Sequence, residues 1–252
     1  MKNSNKTVVI TGGTKGIGAG IAKKYIENNY NVALISRNKN ALNYDLGNNV
    51  KHFQFDLSNL SKINILVKEI YEWTGRIDIL INNVGLSGWM PIEKITEAFV
   101  DNMFNTNIKS MLFLTKYISP YLDNESSIVN ISSIAGKRGS ANNSIYCATK
   151  FAMNGITQSL AKELGIRGIR VNSICPVLIN TEGLIDAFKE EYSPAYSLGA
   201  NDFMMNFALK ESALKRLPSI KEVAEFCYFL SSDLSSAITG QNINIDCGVF
   251  PQ

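Results

Sequence analysis

The sequence predicts an α/β fold in which a single doubly wound domain is built on a central parallel sheet. Short apolar, β-branched runs alternate with segments of helical periodicity along nearly the whole chain, as repeated βαβ units do. No linker, low-complexity stretch or internal repeat interrupts the alternation. A chain of 252 residues, 45% of them hydrophobic and 19% charged, can bury one large core. We therefore expect one domain over residues 1–252.

The predicted elements follow one another in a regular order. Buried strands are expected at residues 7–11, 31–36, 50–55, 77–81, 127–132, 169–175 and 242–245. A helix that ends near residue 73 has Ser58 or Asn59 as its candidate N-cap. A long helix is expected over 97–121, and another runs through residue 146 to 164, where Gly165 is the expected C-terminal stop.

Charge and cysteine content exclude several classes of protein. The net charge of +3 is small and dispersed, which argues against nucleic-acid binding. Residues 1–7 are polar and the apolar run after them is short, so we expect no signal peptide and no membrane anchor. The four cysteines are far apart, which favours free, mostly buried thiols in the cytoplasm over disulfides or a metal site. The one histidine, His52, is expected to be a strand side chain.

A glycine-rich loop follows the first strand, and helical periodicity begins directly after it. Residues 11–18 are Thr-Gly-Gly-Thr-Lys-Gly-Ile-Gly. In this context glycines let the backbone approach a pyrophosphate, and the helix N-terminus supplies N–H groups. The alternative is a tight turn that holds no ligand. The first interpretation makes this a Rossmann-type dinucleotide site, formed by Gly12, Thr14, Lys15, Gly16, Ile17 and Gly18.

The end of the second strand predicts which cofactor binds. NAD enzymes of this architecture place Asp or Glu about twenty residues beyond the glycine loop, where it binds the ribose 2′-hydroxyl. Counting from Gly16 reaches Ser36 and then Arg37, and the next acidic residue is Asp45. A hydroxyl and a guanidinium suit a 2′-phosphate, and Lys15 can add a second cation. If Arg37 does not merely open a turn, the sequence predicts NADP(H).

Tyr146 and Lys150 are the candidate catalytic pair. They are four residues apart in Ser-Ile-Tyr-Cys-Ala-Thr-Lys, so a helix places them on one face. An ammonium beside a phenol favours the phenolate and lowers its pKa from about 10. With ten tyrosines in a lysine-rich chain, such a pair also arises by chance. Ser133 supports the catalytic interpretation, because it ends a predicted strand at the sheet edge where ligands bind.

Residues 181–217 break the alternation of strands and helices. They combine mixed helical patterning with a loop around Pro194 and Gly199. A stretch of this length is a candidate helical substrate lid, although an ordinary peripheral helix pair would also fit. We expect several of its aromatic side chains to face a substrate cleft: Phe188, Tyr192, Tyr196, Phe203 and Phe207.

Taken together, these motifs resemble the short-chain dehydrogenase/reductases from about residue 6 to residue 248. The family pattern matches at Thr-Gly-x3-Gly-Ile-Gly (residues 11–18), Asp56-Leu57, Asn82-Asn83-Val84-Gly85, Asn107, Ser133, Tyr146-x3-Lys150, Pro176, Thr181 and Thr239-Gly240-Gln241 to Asp246. The resemblance implies a nicotinamide-dependent oxidoreductase that is a homodimer or homotetramer. Its substrate would be a small carbonyl compound or alcohol.

The resemblance also implies roles for the catalytic residues. Tyr146 would give a proton to a ketone oxygen or take one from an alcohol, and Ser133 would hydrogen-bond the same oxygen. Lys150 would hold the nicotinamide ribose and lower the pKa of Tyr146. Asn107 would position a water that links Lys150 to solvent.

Further positions would contact the cofactor. Asp56 and Leu57 would lie at the adenine, Asn83, Val84 and Gly85 at the adenosine ribose, and Thr181 at the nicotinamide amide. Pro176, Val177 and Ile179 complete the set that the resemblance implies.

Three positions depart from the family pattern. Val177 stands where glycine usually follows the proline, and its side chain could crowd the nicotinamide or reshape the pocket. Cys247 replaces the first glycine of Asp-Gly-Gly, where the resemblance implies changed packing at a subunit contact, and Val84 replaces an alanine. The leading hypothesis is an NADP(H)-dependent carbonyl reductase or alcohol dehydrogenase. The alternatives are a 3-oxoacyl thioester (acyl carrier protein) reductase and a catalytically idle NADP-binding regulatory protein.

Overall fold

The computed structural model of the protein describes residues 5–38 and 47–251, so Asp45 lies outside the described residues. The strands are β1 (Thr7–Thr11), β2 (Asn31–Ser36), β3 (Val50–Gln54), β4 (Ile77–Asn82), β5 (Leu122–Ile131), β6 (Arg170–Pro176) and β7 (Asn242–Ile245). The helices are α1 (Gly16–Glu27), α2 (Ile63–Thr74), α3 (Glu97–Phe104), α4 (Ser110–Ile118), α5 (Ser144–Leu164), α6 (Glu182–Ala187), α7 (Ala200–Glu211) and α8 (Ile220–Ser231).

The described strands form one parallel sheet in the order β3-β2-β1-β4-β5-β6-β7, which confirms the predicted doubly wound fold. β1 pairs with β2 on one side and with β4 on the other, so the chain changes direction across the sheet at β1. In such sheets ligands bind beyond the carboxyl ends of the strands at this point. The loops that follow β1, β4, β5 and β6 all leave the sheet at that edge.

Each face of the sheet carries its own apolar core. On one face Val9, Ala33 and Leu80 pack with side chains of α2, α4 and α5. On the other face Val8 and Leu34 pack with side chains of α1 and α8. Because both faces are covered, the strand residues are apolar without alternation, as a buried parallel sheet requires.

The ends of two helices differ from the prediction. Gly165 keeps a helical φ of −60°, and a 3₁₀ turn continues to Gly168, whose φ of +70° ends the helix. At the start of α2, a 3₁₀ turn over Leu60–Lys62 precedes the helix. Asn59 accepts a hydrogen bond from the Ser61 hydroxyl at 3.0 Å instead of capping α2. A short 3₁₀ turn adds residues between a polar capping residue and the start of the α-helix. The sequence pattern does not reveal such a turn, so the predicted N-cap lies too early in the chain.

Two further properties bear on the sequence analysis. Across residues 5–38 and 47–251, the structure contains no helix long and apolar enough to cross a membrane. Cys147, Cys175 and Cys227 are buried free thiols and Cys247 is a partly exposed one, as the cysteine spacing predicted.

Candidate active site

The glycine loop between β1 and α1 has a backbone shape that depends on glycine. Gly12 and Gly16 have φ values of +64° and +54°, which other residues rarely adopt. A Cβ on Gly18 would lie only 2.2 Å from the carbonyl oxygen of Gly12, so α1 packs directly against the loop. α1 begins after Lys15, and no described side chain caps its first turn. The N-terminus of α1 can therefore direct its backbone N–H groups toward an anionic ligand.

Thr11 and Asn83 join this loop to the loop after β4. The Thr11 hydroxyl accepts hydrogen bonds from the N–H groups of Asn83 at 2.8 Å and Val84 at 3.0 Å. The Asn83 amide donates to the carbonyl oxygens of Thr11 at 3.0 Å and Gly12 at 3.3 Å. The side chain of Asn83 thus braces the glycine loop, which the sequence analysis did not foresee. Its predicted contact with the adenosine ribose stays a prediction.

The far end of the predicted cofactor site lies where β2 and β3 finish. The Ser36 hydroxyl donates to the carbonyl oxygen of Asn38 at 3.1 Å and is 2.8 Å from Nε2 of His52, which lies on β3 as predicted. The backbone of Arg37 accepts from the Gln54 amide at 3.0 Å. The structure therefore holds Ser36 and Arg37 by neighbours on β3.

Asp56 lies close to the same end of the site. The N–H of Ser58 donates to its carboxylate at 2.9 Å and lowers the pKa of Asp56, and the charge of Arg37 lowers it further. Leu57, by contrast, is buried in the core below the sheet edge, so its backbone is the part that could meet a ligand.

Ser133, Tyr146 and Lys150 come together at the carboxyl end of β5. The Ser133 hydroxyl lies beside the Tyr146 hydroxyl and lowers its pKa. It is held by the N–H of Ala135, which donates to it at 3.1 Å, and it donates to the carbonyl oxygen of Pro176 at 3.5 Å. Lys150 is 4% exposed, and its ammonium donates to the carbonyl oxygen of Ile131 at 2.9 Å. The predicted catalytic residues therefore meet at one place, and this place is adjacent to the loop after β4.

Burial sets the protonation of the pair. It raises the pKa of Tyr146 to about 12, while the hydrogen bond from Ser133 acts in the opposite direction. It lowers the pKa of Lys150 to about 8. The shift of Tyr146 is opposite to the predicted lowering by Lys150. The physical reason is that desolvation of the phenol outweighs an ammonium that is already bonded to a backbone carbonyl.

Asn107 lies in a five-residue π-helical segment, Asn105–Lys109, between α3 and α4. The helix predicted over 97–121 is therefore interrupted at this residue. The buried amide of Asn107 accepts from the N–H of Leu86 at 2.7 Å and donates to the carbonyl oxygen of Leu86 at 2.9 Å. It also donates to the hydroxyl of Thr149 at 3.0 Å. The sequence analysis did not identify Thr149 as a site residue. π-helical turns are rare and often mark functional positions.

Gly85 lies beside both Asn107 and Lys150. A Cβ at Gly85 would lie 3.5 Å from Nζ of Lys150 and 3.7 Å from Oδ1 of Asn107. The two polar atoms thus flank one small space beside the loop after β4. At the other side of the site, a Cβ on Gly16 would lie 3.4 Å from the methyl group of Thr181. Thr181 begins α6 and its hydroxyl caps the N–H of Leu184 at 3.2 Å.

The structure shows the local surroundings of two residues that depart from the family pattern, Val177 and Cys247. The side chain of Val177 packs in an apolar cluster with Ile134 and Val249, just after Pro176. Ile179 is buried as well. Cys247 has a φ of +54°, a left-handed conformation in which glycine is far less strained.

The segment 181–217 contains α6, α7 and a turn between them, and it packs against the loop after β4. Phe188 is buried. Its ring stacks on that of Trp89 at 5.4 Å and meets that of Phe203 edge to face at 5.2 Å. Tyr196 is 60% exposed, and Phe207 packs against the cluster of Val177. The aromatic residues of the segment thus divide among its own small core, its surface and the cluster after β6.

Comparison with known proteins places these features in a family. A family model described as enoyl-(acyl carrier protein) reductase matches residues 12–250. The chain is 33% identical to 3-oxoacyl-[acyl-carrier-protein] reductase of Chlamydia muridarum over 254 aligned residues, which cover 97% of each chain. The corresponding protein of Chlamydia trachomatis is also 33% identical, with 97% of each chain covered.

Solved structures of short-chain dehydrogenase/reductases superpose on the whole chain. A short-chain dehydrogenase/reductase described as glucose/ribitol dehydrogenase, from Brucella melitensis, superposes with a TM-score of 0.89 at 27% identity, covering 100% of this chain and 99% of that one. ElxO with NADP bound gives a TM-score of 0.85 at 30% identity, covering 98% of this chain and 100% of that one. The matched family model, the full-length relatives and the shared fold show that the chain is an oxidoreductase that belongs to the short-chain dehydrogenase/reductase family.

Proposed function

We propose that the protein is an NADP(H)-dependent oxidoreductase that reduces a carbonyl group, or oxidises a secondary alcohol, with Tyr146 as the proton donor or acceptor. The observation that carries the proposal is the meeting of Tyr146, Ser133 and Lys150 next to the loop after β4. A hydroxyl pair and a buried ammonium at the carboxyl edge of a doubly wound sheet suit proton transfer to a bound carbonyl.

Each residue has a defined part in the proposed reaction. The nicotinamide, when bound, supplies or accepts the hydride. Because burial raises the pKa of Tyr146 to about 12, its phenol carries a proton at neutral pH, which suits donation to a carbonyl oxygen. Ser133 lies beside the phenol and can hydrogen-bond the same carbonyl oxygen. Lys150 would hold the nicotinamide ribose hydroxyls, and Asn107 would position a water between Lys150 and solvent.

The cofactor part of the proposal rests on the chain's own residues at the end of β2. The glycine loop fits a pyrophosphate, because its glycines leave room for the backbone to approach and the first turn of α1 is uncapped by any described side chain. Ser36 and Arg37 stand where an NAD enzyme carries a carboxylate, and Lys15 lies at the start of α1. ElxO, a structural neighbour, was solved with NADP bound.

Reduction of a 3-oxoacyl thioester is the second candidate function. The most similar relatives named above are 3-oxoacyl-[acyl-carrier-protein] reductases. Partly buried apolar side chains beside Val177 also favour an apolar substrate, namely Leu178, just before the segment 181–217, and Phe207 and Leu217 within it.

Loss of NADPH absorbance on purified protein tests the proposal. The panel contains simple ketones, acetoacetyl-coenzyme A and a trans-2-enoyl thioester, each with NADPH and with NADH. We expect turnover of a ketone or of the 3-oxoacyl thioester with NADPH preferred. A marked preference for the 3-oxoacyl thioester supports the second candidate. Cofactor binding without turnover of any compound would instead favour an idle, NADP-binding regulatory protein.

We further propose a homodimer or homotetramer located in the cytoplasm. Large apolar side chains on helix surfaces support self-association, among them Phe151 on α5, which is 48% exposed. Phe226 and Phe229 of α8 line a shallow groove with Ile245 of β7. Sedimentation equilibrium measures the mass directly, and a monomer at all concentrations would contradict this part of the proposal.

A further inference from the structure

Thr149 is fully buried in α5, directly before the catalytic lysine. Its hydroxyl donates to the carbonyl oxygen of Tyr146 at 2.7 Å and accepts from Nδ2 of Asn107 at 3.0 Å. A hydroxyl has one proton, and the carbonyl contact uses it, so the bond with Asn107 must run from the amide to the hydroxyl. The result is a directed chain from Asn107 through Thr149 to the backbone of Tyr146.

Asn107 is held from its other side by Leu86. The amide accepts from the N–H of Leu86 at 2.7 Å and donates to its carbonyl oxygen at 2.9 Å. The amide nitrogen thus has two close oxygen acceptors, Leu86 and Thr149, while the sulfur of Met103, at 4.0 Å, is a weaker and more distant one. Asn107 is fully buried, so an orientation that left either hydrogen unpaired would be costly. The side chain therefore connects the loop after β4 with helix α5.

We infer that Thr149 is a positioning residue that ties the helix carrying Tyr146 and Lys150 to the loop after β4 through Asn107. The inference rests on the proposed function, because the tie matters for turnover only if Tyr146 transfers the proton. The phenol and the loop must keep a fixed distance for a substrate carbonyl to meet both. A misplacement of about 1 Å in such a site can cost about a hundredfold in rate.

Thr157 provides a matched control in the same helix. It too is fully buried, donates to the carbonyl oxygen of Met153 at 2.9 Å and accepts from Nδ2 of Asn130 at 2.9 Å. Asn130 belongs to β5 inside the sheet. Substitution of either threonine by valine therefore removes a hydroxyl of equal burial and takes the close oxygen acceptor from one amide hydrogen. Of these two threonines, Thr149 is the one that is bonded to Asn107.

Steady-state kinetics compare Thr149→Val, Thr157→Val and Thr149→Ser with the wild type. We expect Thr149→Val to lower kcat by about ten- to a hundredfold while the KM for NADPH changes less than about threefold. Thr157→Val should lower the midpoint of urea unfolding about as much as Thr149→Val does. Unlike Thr149→Val, it should leave kcat within about twofold of the wild-type value. Thr149→Ser keeps the hydroxyl and should restore most of kcat. A kcat loss in Thr149→Val no larger than in Thr157→Val would overturn the inference.

Hydrogen exchange gives a second readout that needs no turnover. The N–H of Leu86 donates to Asn107, so its exchange reports on the position of that amide. We expect Thr149→Val to speed this exchange by about tenfold and Thr157→Val to leave it unchanged. If the wild type reduces no carbonyl, the proposed function fails, and the exchange of Leu86 decides the inference by itself. Equal exchange rates in wild type and Thr149→Val would refute the tie.

Discussion

The ammonium nitrogen of Lys150 lies 5.7 Å from the centre of the Tyr146 ring, one helical turn away in α5. The ammonium donates to the carbonyl oxygen of Ile131, and burial favours the neutral form of both residues. The phenol therefore carries its proton at neutral pH in this structure, and burial lowers the pKa of Lys150 to about 8.

Substitution of Tyr146 tests proton transfer. Tyr146→Phe removes the phenol hydroxyl beside Ser133, and we expect turnover to fall by roughly two to four orders of magnitude, as with loss of a general acid. NADPH affinity should change little. Tyr117→Phe on α4 is the control and should behave as the wild type. Near-normal turnover of Tyr146→Phe would show that another group gives the proton.

Substitution of Arg37 tests the cofactor. A hydrogen bond to a charged group contributes roughly 1.5–3 kcal/mol, so Arg37→Ala should weaken NADPH binding by about ten- to a hundredfold. NADH binding should stay nearly unchanged, because NADH lacks the 2′-phosphate. Dissociation constants of both cofactors decide the matter, with Lys23→Ala on the exposed side of α1 as the control. A wild type that prefers NADH contradicts the proposed cofactor.

The pKa of Lys150 predicts a pH dependence of stability. In the folded protein it is about 8, against an ordinary value of 10.5. Between these values the unfolded chain binds the additional proton, so the contribution of Lys150 to the free energy of unfolding rises with pH. The difference between wild type and Lys150→Met should rise by up to about 3 kcal/mol across this window. Urea unfolding without cofactor measures it, and the exposed Lys162→Met should show no trend.

The left-handed backbone at Cys247 predicts a stabilising substitution. Cys247 has a φ of +54°, which costs a residue with a Cβ roughly 1–2 kcal/mol relative to glycine. Glycine also increases the entropy of the unfolded chain, so we expect Cys247→Gly to raise the free energy of unfolding by about 0.5–1 kcal/mol. Cys247→Ala keeps the strain and should give no such gain. Equal stability of the two variants would rule out backbone strain as the cause.

The segment 181–217 is predicted to be a lid. Its own aromatic core and its contact with Trp89 hold it to the loop after β4, while Tyr196 and Leu198 remain exposed. We expect fast hydrogen exchange across the segment without ligands and slower exchange with NADPH and substrate together. Exchange that is equally slow in both states would support an ordinary peripheral helix pair.

Sequence alone determined the features that depend on near neighbours along the chain. The glycine loop before α1 and the helical spacing of Tyr146 and Lys150 are local patterns, and the structure confirms both placements. The parallel direction of the strands followed from their alternation with helices, because helical connections of this kind join parallel strands. A signal that could have been used for α8 is Ser219-x-x-Glu222, which forms a capping box.

Only the tertiary structure decided which distant side chains meet. Asn107 bonds Leu86 and Thr149, and Ser36 contacts His52, in each case at a separation along the chain that no local periodicity encodes. The direction of the Tyr146 shift was predicted wrongly for the same reason. A pKa depends on how completely the surrounding chain removes water from the hydroxyl, and the spacing of two residues on one helix does not contain that information.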